Sequence, residues 1–261
     1  MQEKLEIALI QSDLVWENPE QNRIHFTHYI ENLPETVDVV LLPEMFSTGF
    51  TMHAKKVAET MQGKTITWLQ ELAAKQHIAI SGSLVITEND NYYNRLVFVE
   101  PNGNLSYYNK RHTFTFAGED KIYTAGNTKL IVNYKGWKLY PLVCYDLRFP
   151  VWARNTQNYD VLLYVANWPQ SRIAAWDSLL KARAIENMSY CIGVNRVGVD
   201  ALNNNYCGHS AVYDVLGNPI DTFKPNESGV KIVTLNKNHI DENRKRFQFL
   251  NDMDGFVIKE K

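Results

Sequence analysis

Three segments of this chain end an apolar run on a reactive side chain: "LVCYDLRFP" at Cys144, "LLPEMF" at Glu44 and "YYNKRH" at Lys110. A thiol, a carboxyl group and an ammonium, each just past a strand-like run, are the parts a cysteine nucleophile needs to attack an acyl carbon. Strand ends are where an open α/β sheet gathers its chemistry. Sulfur attacks as thiolate, and an ordinary cysteine is mostly protonated at neutral pH. A second group must therefore take the proton and later hand it to a leaving amine. No histidine lies near Cys144 in the sequence. Glu44, flanked by Leu42, Met45 and Phe46, is the candidate, because desolvation raises a carboxyl group toward the range where it both accepts and donates protons. Lys110 supplies charge to the thiolate and to the oxyanion of a tetrahedral intermediate. The backbone N–H of Tyr145, next after the nucleophile, is a second candidate oxyanion donor. Such a reaction needs no metal and no organic cofactor.

Taken singly, each residue has a plainer reading. A glutamate after "LLP" is usually a loop acid, a lysine in "NKRH" surface charge, and a cysteine in an apolar run a small buried side chain. The joint occurrence in the order Glu, Lys, Cys is what carries weight.

The elements that must position these groups alternate along the chain. "LEIALIQ" (Leu5–Gln11) reads as a buried strand. Asn18-Pro19-Glu20 reads as an N-cap, a proline at the first helical position and an acid in the first turn. Phe26, Tyr29, Ile30 and Leu33 then make one helical stripe. "VDVVLL" (Val37–Leu42) is nearly all apolar, as a strand covered on both faces should be. A helix over Thr65–Gln76 and strands at Ile78–Val85 and Arg95–Glu100 follow, with Pro101-Asn102-Gly103 turning a hairpin. The second half repeats this grammar. "KLYPLVCYD" echoes "LEIALIQSD", "YDVLLYVANW" echoes "VDVVLLPEMF", "YCIGVNRV" matches "IAISGSLV", and "AVYDVLGNPI" matches "LVFVEPNGNL". Two βαβαββ halves either stack sheet on sheet as a four-layer αββα sandwich or form a three-layer doubly wound sheet. The repeat alone leaves both open.

Composition narrows the function classes. The chain has 261 residues, 45% of them hydrophobic, and a formal charge of -2. That charge gives no reason to expect nucleic acid or a membrane surface as partner. The apolar runs fall far short of the roughly 20 residues that span a bilayer, and Met1 is followed by charged residues rather than a signal sequence, so a cytoplasmic location is expected. Three cysteines without paired spacing argue against a disulfide framework. His25 and His28 lack further ligands, so no metal site is expected. "GHS" at Gly208–Ser210 falls where a hairpin strand begins, and His209 is expected to tie a loop or a pocket wall.

Each reactive residue sits in a longer match. "LLPEMFSTGF", "YYNKRHTF" and "LVCYDLRFP" resemble the glutamate, lysine and cysteine motifs of the nitrilase superfamily, the carbon–nitrogen hydrolases, and the resemblance runs across nearly the whole chain. It implies Glu44 as general base, Lys110 as the oxyanion-stabilising lysine and Cys144 as nucleophile. It also implies the αββα sandwich, as a single domain over 1–261, and a homodimer. Many members carry a second glutamate soon after the lysine. Glu119 in "FAGEDKIY" matches it, with a role in positioning Lys110 or the substrate amide; Asp120 beside it is the lesser candidate. "STGF", "KRHTF…AGE" and "CYDLRFPVW…ANWP" are most similar to the ω-amidase branch, whose members release ammonia from short dicarboxylic acid monoamides such as α-ketoglutaramate and α-ketosuccinamate. Arg148, four residues after the nucleophile, either receives a substrate carboxylate as a bidentate pair or joins a structural ion pair with Asp146 or another acid. Phe46, Phe116 and Trp168 either wall the pocket or simply pack. The competing readings are another amidase, an N-carbamoyl hydrolase or a nitrilase of the same superfamily, and, in a different class, a catalytically silent binding or dimerisation member. The tail over 237–261 is expected to pack on its own domain or across the dimer.

Overall fold

Two stacked sheets with helices on their outer faces make up the computed structural model, which describes residues 2–259. Met1 and the last two positions of the expected tail, Glu260 and Lys261, lie outside the described residues. The first half runs β1 (Lys4–Gln11), α1 (Pro19–Glu31), β2 (Val39–Leu41), α2 (Ala54–Val57), α3 (Lys64–Gln76), β3 (Ala79–Glu88), β4 (Asn91–Val99) and β5 (Leu105–Asn109). The second runs β6 (Val132–Tyr134), β7 (Trp137–Val143), α4 (Pro150–Ala153), β8 (Val161–Ala166), α5 (Ile173–Asn187) and β9 (Tyr190–Asn195). It continues through β10 (Val197–Val199), β11 (Asn205–Cys207), β12 (Ala211–Tyr213), β13 (Pro219–Thr222), β14 (Gly229–Asn236) and α6 (Lys237–Phe247). The N-cap expected at Asn18 is present, its Oδ1 accepting from the Gln21 N–H at 3.1 Å. No helix among the described residues is long and apolar enough to cross a membrane.

The strand order is β14-β1-β2-β3-β4-β5 in one sheet and β13-β12-β9-β8-β7-β6 in the other. The run β1-β2-β3-β4-β5 is thus repeated as β7-β8-β9-β12-β13, and β14 returns from the far end of the chain to close the first sheet beside β1. Strand alternation divides the side chains between layers. Leu5, Ile7 and Leu9 of β1 face Leu139, Val161 and Leu163 of the opposite sheet in one continuous core. Ala8 and Ile10 point the other way, to Phe26 and Ile30 of α1 and Leu69 of α3. Tyr140, Leu142 and Leu162 likewise meet Trp176, Leu180 and Ala184 of α5. This is the four-layer αββα sandwich; the three-layer alternative is excluded by the inter-sheet core.

The repeat holds in element order but slips in register. Asp38 accepts from the Glu6 N–H and Asp160 from the Lys138 N–H, each at 2.8 Å, and Ile7 pairs with Val39 as Leu139 pairs with Val161. Glu6 therefore matches Lys138, one residue off the motif alignment that set Leu5 on Lys138. Carried to the strand ends, Cys144 matches Ser12. The same correction brings Gly82 opposite Gly193. A Cβ on Gly82 would lie 2.8 Å from Phe46 Cδ1, and one on Gly193 2.6 Å from Trp176 Cζ2. In both halves a missing side chain lets the neighbouring layer approach the third strand.

α6 lies against its own chain. Ile240 enters the inter-sheet core, and the Arg244 guanidinium donates to the Met188 and Tyr159 carbonyls at 2.8 and 2.6 Å.

Candidate active site

Glu44 lies three residues past β2, where the chain turns through Met45 at φ 43°. The turn is pinned to β3: Met45 N–H donates to Ser83 Oγ at 2.9 Å and Phe46 N–H to the Ser83 carbonyl at 3.0 Å. Lys110 follows β5 directly, its N–H donating to the Asn94 carbonyl at 3.0 Å. β7 ends at Val143, and Cys144 opens a tight 3-10 turn, Cys144–Arg148, at φ 44°. Positive φ at a non-glycine residue is strained backbone that needs support from its surroundings. Asp146 provides it, accepting from Val143 N–H at 3.0 Å within the turn. The same carboxylate accepts from Tyr108 OH at 2.9 Å and His112 N–H at 3.0 Å. The lysine segment and the cysteine turn are thereby tied through one buried acid.

These elements bring Glu44, Lys110, Glu119 and Cys144 together. Lys110 Nζ donates to Glu44 Oε1 at 2.9 Å and to Glu119 Oε2 at 2.9 Å. Asn94 Nδ2 bridges the same two carboxyl groups, at 2.8 Å to Glu44 and 3.1 Å to Glu119. The second Glu44 oxygen accepts from the Asn167 N–H at 2.8 Å, and Glu119 Oε2 from the Phe114 N–H at 2.6 Å. All four of Glu44, Lys110, Glu119 and Asn94 are buried, so solvent screening is weak.

The charges do not balance, and the titrations follow. Burial pulls the Lys110 ammonium down, but the Glu119 and Glu44 charges, with Cys144 behind them, more than offset it and hold it well above the usual lysine range. Lys110 is therefore a fixed cation. One ammonium cannot satisfy two buried carboxylates, and Glu119 carries the deficit: burial raises it, Lys110 opposes, and Glu44 raises it further. Burial also pushes the Cys144 thiol well up, and the Glu44 charge and hydrogen bond add to this against Lys110. The expected stabilisation of a resting thiolate by Lys110 is thus outweighed, because that charge is already shared between two carboxylates. At rest the sulfur keeps its proton, with Glu44 placed to receive it.

Cys144 opens into a cleft of about 250 Å³ lined also by Glu44, Lys110, Tyr145, Asn167, Phe50 and Met52. Phe116, Arg148 and Trp168 line it as well. Phe116 stands at the mouth, 86% exposed, whereas Trp168 is buried beneath the Arg148 guanidinium, 4.8 Å from ring centroid to Cζ. Phe46 is a correction. It is fully buried between Phe26 and Trp68 in the helix layer, away from the cleft. The suggested Arg148–Asp146 pair is another: Asp146 is taken up by Tyr108, His112 and Val143, and among the described residues Arg148 has no carboxylate partner. Asp120 is exposed beside the buried Glu119. His209 ties loops, its ring 3.1 Å from Asp177 and its carbonyl accepting from Trp176 Nε1.

Sequence reasoning missed Asn94, Asn167 and Arg172. Asn94 was legible only as one polar residue in a strand that the motif reading began at Arg95. Asn167 lay inside the quoted "ANWP" without a role, although its backbone N–H and Nδ2 both clasp Glu44. Arg172 lines the cleft from the turn before α5.

A family model described as carbon-nitrogen hydrolase matches residues 6–245. The chain is 41% identical to omega-amidase YafV of Yersinia enterocolitica over 97% of this chain and 98% of that protein. It is 32% identical to 2-oxoglutaramate amidase of Bacillus subtilis, covering 82% of this chain and 84% of the relative. Its backbone superposes with a TM-score of 0.96 on XC1258 of Xanthomonas campestris, a CN-hydrolase superfamily protein solved with an arsenic adduct in its active site; identity is 41%, over 99% of this chain and 100% of that one.

Proposed function

The chain belongs to the carbon–nitrogen hydrolase family, and from that premise we propose how its residues carry out an ω-amidase reaction on the terminal amide of a short dicarboxylic acid monoamide. Cys144 attacks the amide carbon while Glu44 takes the thiol proton, which burial and the Glu44 charge keep on sulfur until that moment. The oxyanion forms between Lys110 Nζ and the Tyr145 N–H. The latter lies in the first turn of the 3-10 segment, where amides have no intrahelical carbonyl to meet. Glu44, now protonated, gives its proton to the departing nitrogen, and ammonia leaves behind a Cys144 thioester. A water then gives a proton to Glu44 and its oxygen to the acyl carbon; collapse returns the proton to sulfur and releases the acid. Glu119 and Asn94 hold Lys110 and Glu44 in place and do not form bonds to substrate carbon. Arg148 receives the distal carboxylate, its guanidinium steadied on the Trp168 ring.

The single observation behind this reading is the convergence of Lys110 Nζ on two carboxylates at the floor of the cleft that Cys144 lines. Ammonia release measured across ω-amides, N-carbamoyl amino acids and nitriles tests it. Preferred turnover of 2-oxoglutaramate (α-ketoglutaramate) or 2-oxosuccinamate supports it; preferred release of carbon dioxide from carbamoyl substrates, or of acid from nitriles, overturns it. A homodimer belongs to the same proposal, and sedimentation at the monomer mass would remove it.

A further inference from the structure

Two guanidinium groups, not one, face the catalytic cleft. Arg148 ends the turn that begins at Cys144, and Arg172 ends the turn that precedes α5. Both line the cleft, and among the described residues neither makes an ion pair with a carboxylate. The three buried arginines each meet an acid, Arg95 with Glu88, Arg183 with Glu186 and Arg196 with Asp13, whereas Arg148 and Arg172 are half-buried at the cleft wall. A guanidinium that lines a cleft without an acid keeps its N–H edges available to an anionic ligand.

One side chain touches both segments. The Trp168 ring lies under Arg148, 4.8 Å from its Cζ, while the Trp168 indole N–H donates to the Arg172 carbonyl at 2.8 Å. Arg172 in turn lies over the Phe114 ring at 5.2 Å. Each guanidinium therefore rests on an aromatic face that orients its plane while leaving its N–H edges free, as stacked arginines do.

We propose that Arg172 is a second, specificity-determining substrate-binding residue that reads the 2-oxo acid end of the ω-amide. A carboxylate alone fills one guanidinium in a bidentate pair. A 2-oxo carboxylate presents a further carbonyl oxygen, coplanar or nearly so with the carboxylate, and offers acceptors to two donors forks at once. Arg148 takes the carboxylate edge and Arg172 the edge that includes the 2-oxo oxygen. A saturated monoamide of the same length, such as glutaramate, leaves Arg172 without that acceptor, and a donor left unpaired in a substrate-filled cleft is what gives polar sites their discrimination. This inference rests on the ω-amidase reading and narrows its substrate to 2-oxo acids.

The test compares kcat and KM for 2-oxoglutaramate and glutaramate in the wild-type protein, Arg172→Gln and Arg172→Lys. The wild-type protein should favour 2-oxoglutaramate. In Arg172→Gln the ratio of kcat/KM for 2-oxoglutaramate over glutaramate should fall at least ten-fold, mainly through KM, with Arg172→Lys recovering part of it. An unchanged ratio, whether both rates hold or both fall together, overturns the assignment, since a purely structural residue lowers both alike. A wild-type protein that hydrolyses neither substrate sinks the ω-amidase reading itself, a result distinct from an unchanged ratio.

Discussion

Ser12 and Cys144 occupy the same place in the two halves of the sandwich, each the first residue beyond the matched strands β1 and β7. Their surroundings differ. Ser12 Oγ lies 2.9 Å from the Asp13 carbonyl and 2.6 Å from His25 Nε2. The shallow cleft beside it, lined by Ser12, Asp13, His25 and Tyr29, holds no lysine or arginine among the described residues to meet an oxyanion. Burial moreover pulls His25 below its ordinary value, keeping it neutral. Cys144 instead faces Glu44, Lys110 and Glu119, two carboxyl groups and an ammonium from segments that precede β6. A strand end supplies a position; the partner half supplies the chemistry. The second such pair, Phe46 and Trp168, teaches the same lesson. Phe46 fills the helix layer of the first half, and Trp168 becomes a platform in the cleft.

Substitution at the two strand ends should break the symmetry most sharply. Cys144→Ala is expected to lower ammonia release by about a thousand-fold or more, since the covalent route is lost. Ser12→Ala should stay within roughly two-fold, because its hydroxyl only ties a loop. Comparable losses in both would erase the distinction between the halves.

Glu44→Gln comes next, with turnover down by about 100- to 10,000-fold, the range of a positioned acid–base group. The same change should move Cys144 the opposite way as a bare thiol. Glu44 as carboxylate raises the thiol, so removing its charge lowers it. The pH profile of iodoacetamide alkylation should therefore shift to lower pH in Glu44→Gln while amide hydrolysis collapses. An upward or absent shift would mean that Lys110, and not Glu44, governs the sulfur.

The matched glycines should respond alike. Alanine at Gly193 must displace Leu180 Cδ1 at 2.5 Å and Trp176, and alanine at Gly82 must displace Leu42 Cβ at 2.9 Å and Phe46. Overpacking of this kind costs about 1–3 kcal/mol, read as a lower urea midpoint in each variant. The smallest contrast lies between the aromatic pair. Phe46→Leu should cost about 1 kcal/mol of stability with KM unchanged, whereas Trp168→Phe should raise KM several-fold at nearly constant stability, because it loses the indole N–H to Arg172.

The sequence made legible whatever is local. The Asn18 cap, the alternation in β1 and the apolar run of β2 follow from backbone and burial rules that act within a few residues. The three reactive residues were legible because each ends such a run. What escaped was tertiary. A one-residue slip in the repeat passes because the middle of each strand is apolar in either register, although setting Leu5 on Lys138 and Glu6 on Leu139 left a mismatch at the strand start that the true pairing of Glu6 with Lys138 removes. The aspartate pegs, Asp38 and Asp160, and the strand pairing set it. Asn94 and Asn167 act through distances that no spacing encodes. Phe46 was misplaced because residues only two apart past a strand end, Glu44 and Phe46, enter different layers. The direction of the Cys144 shift depends on a charge count, two carboxylates to one ammonium, that becomes visible only when all three are seen in contact.

The most direct test of the assembled site is to trap its covalent intermediate. Wild-type protein mixed rapidly with 2-oxoglutaramate, quenched in acid, digested and analysed by mass spectrometry should carry the substrate mass less ammonia on the peptide containing Cys144. The adduct should be labile to hydroxylamine and absent from Cys144→Ala. Full turnover with no adduct on that peptide, or with the acyl group on Ser12 or any other residue, would contradict the assignment of the nucleophile to this half of the molecule.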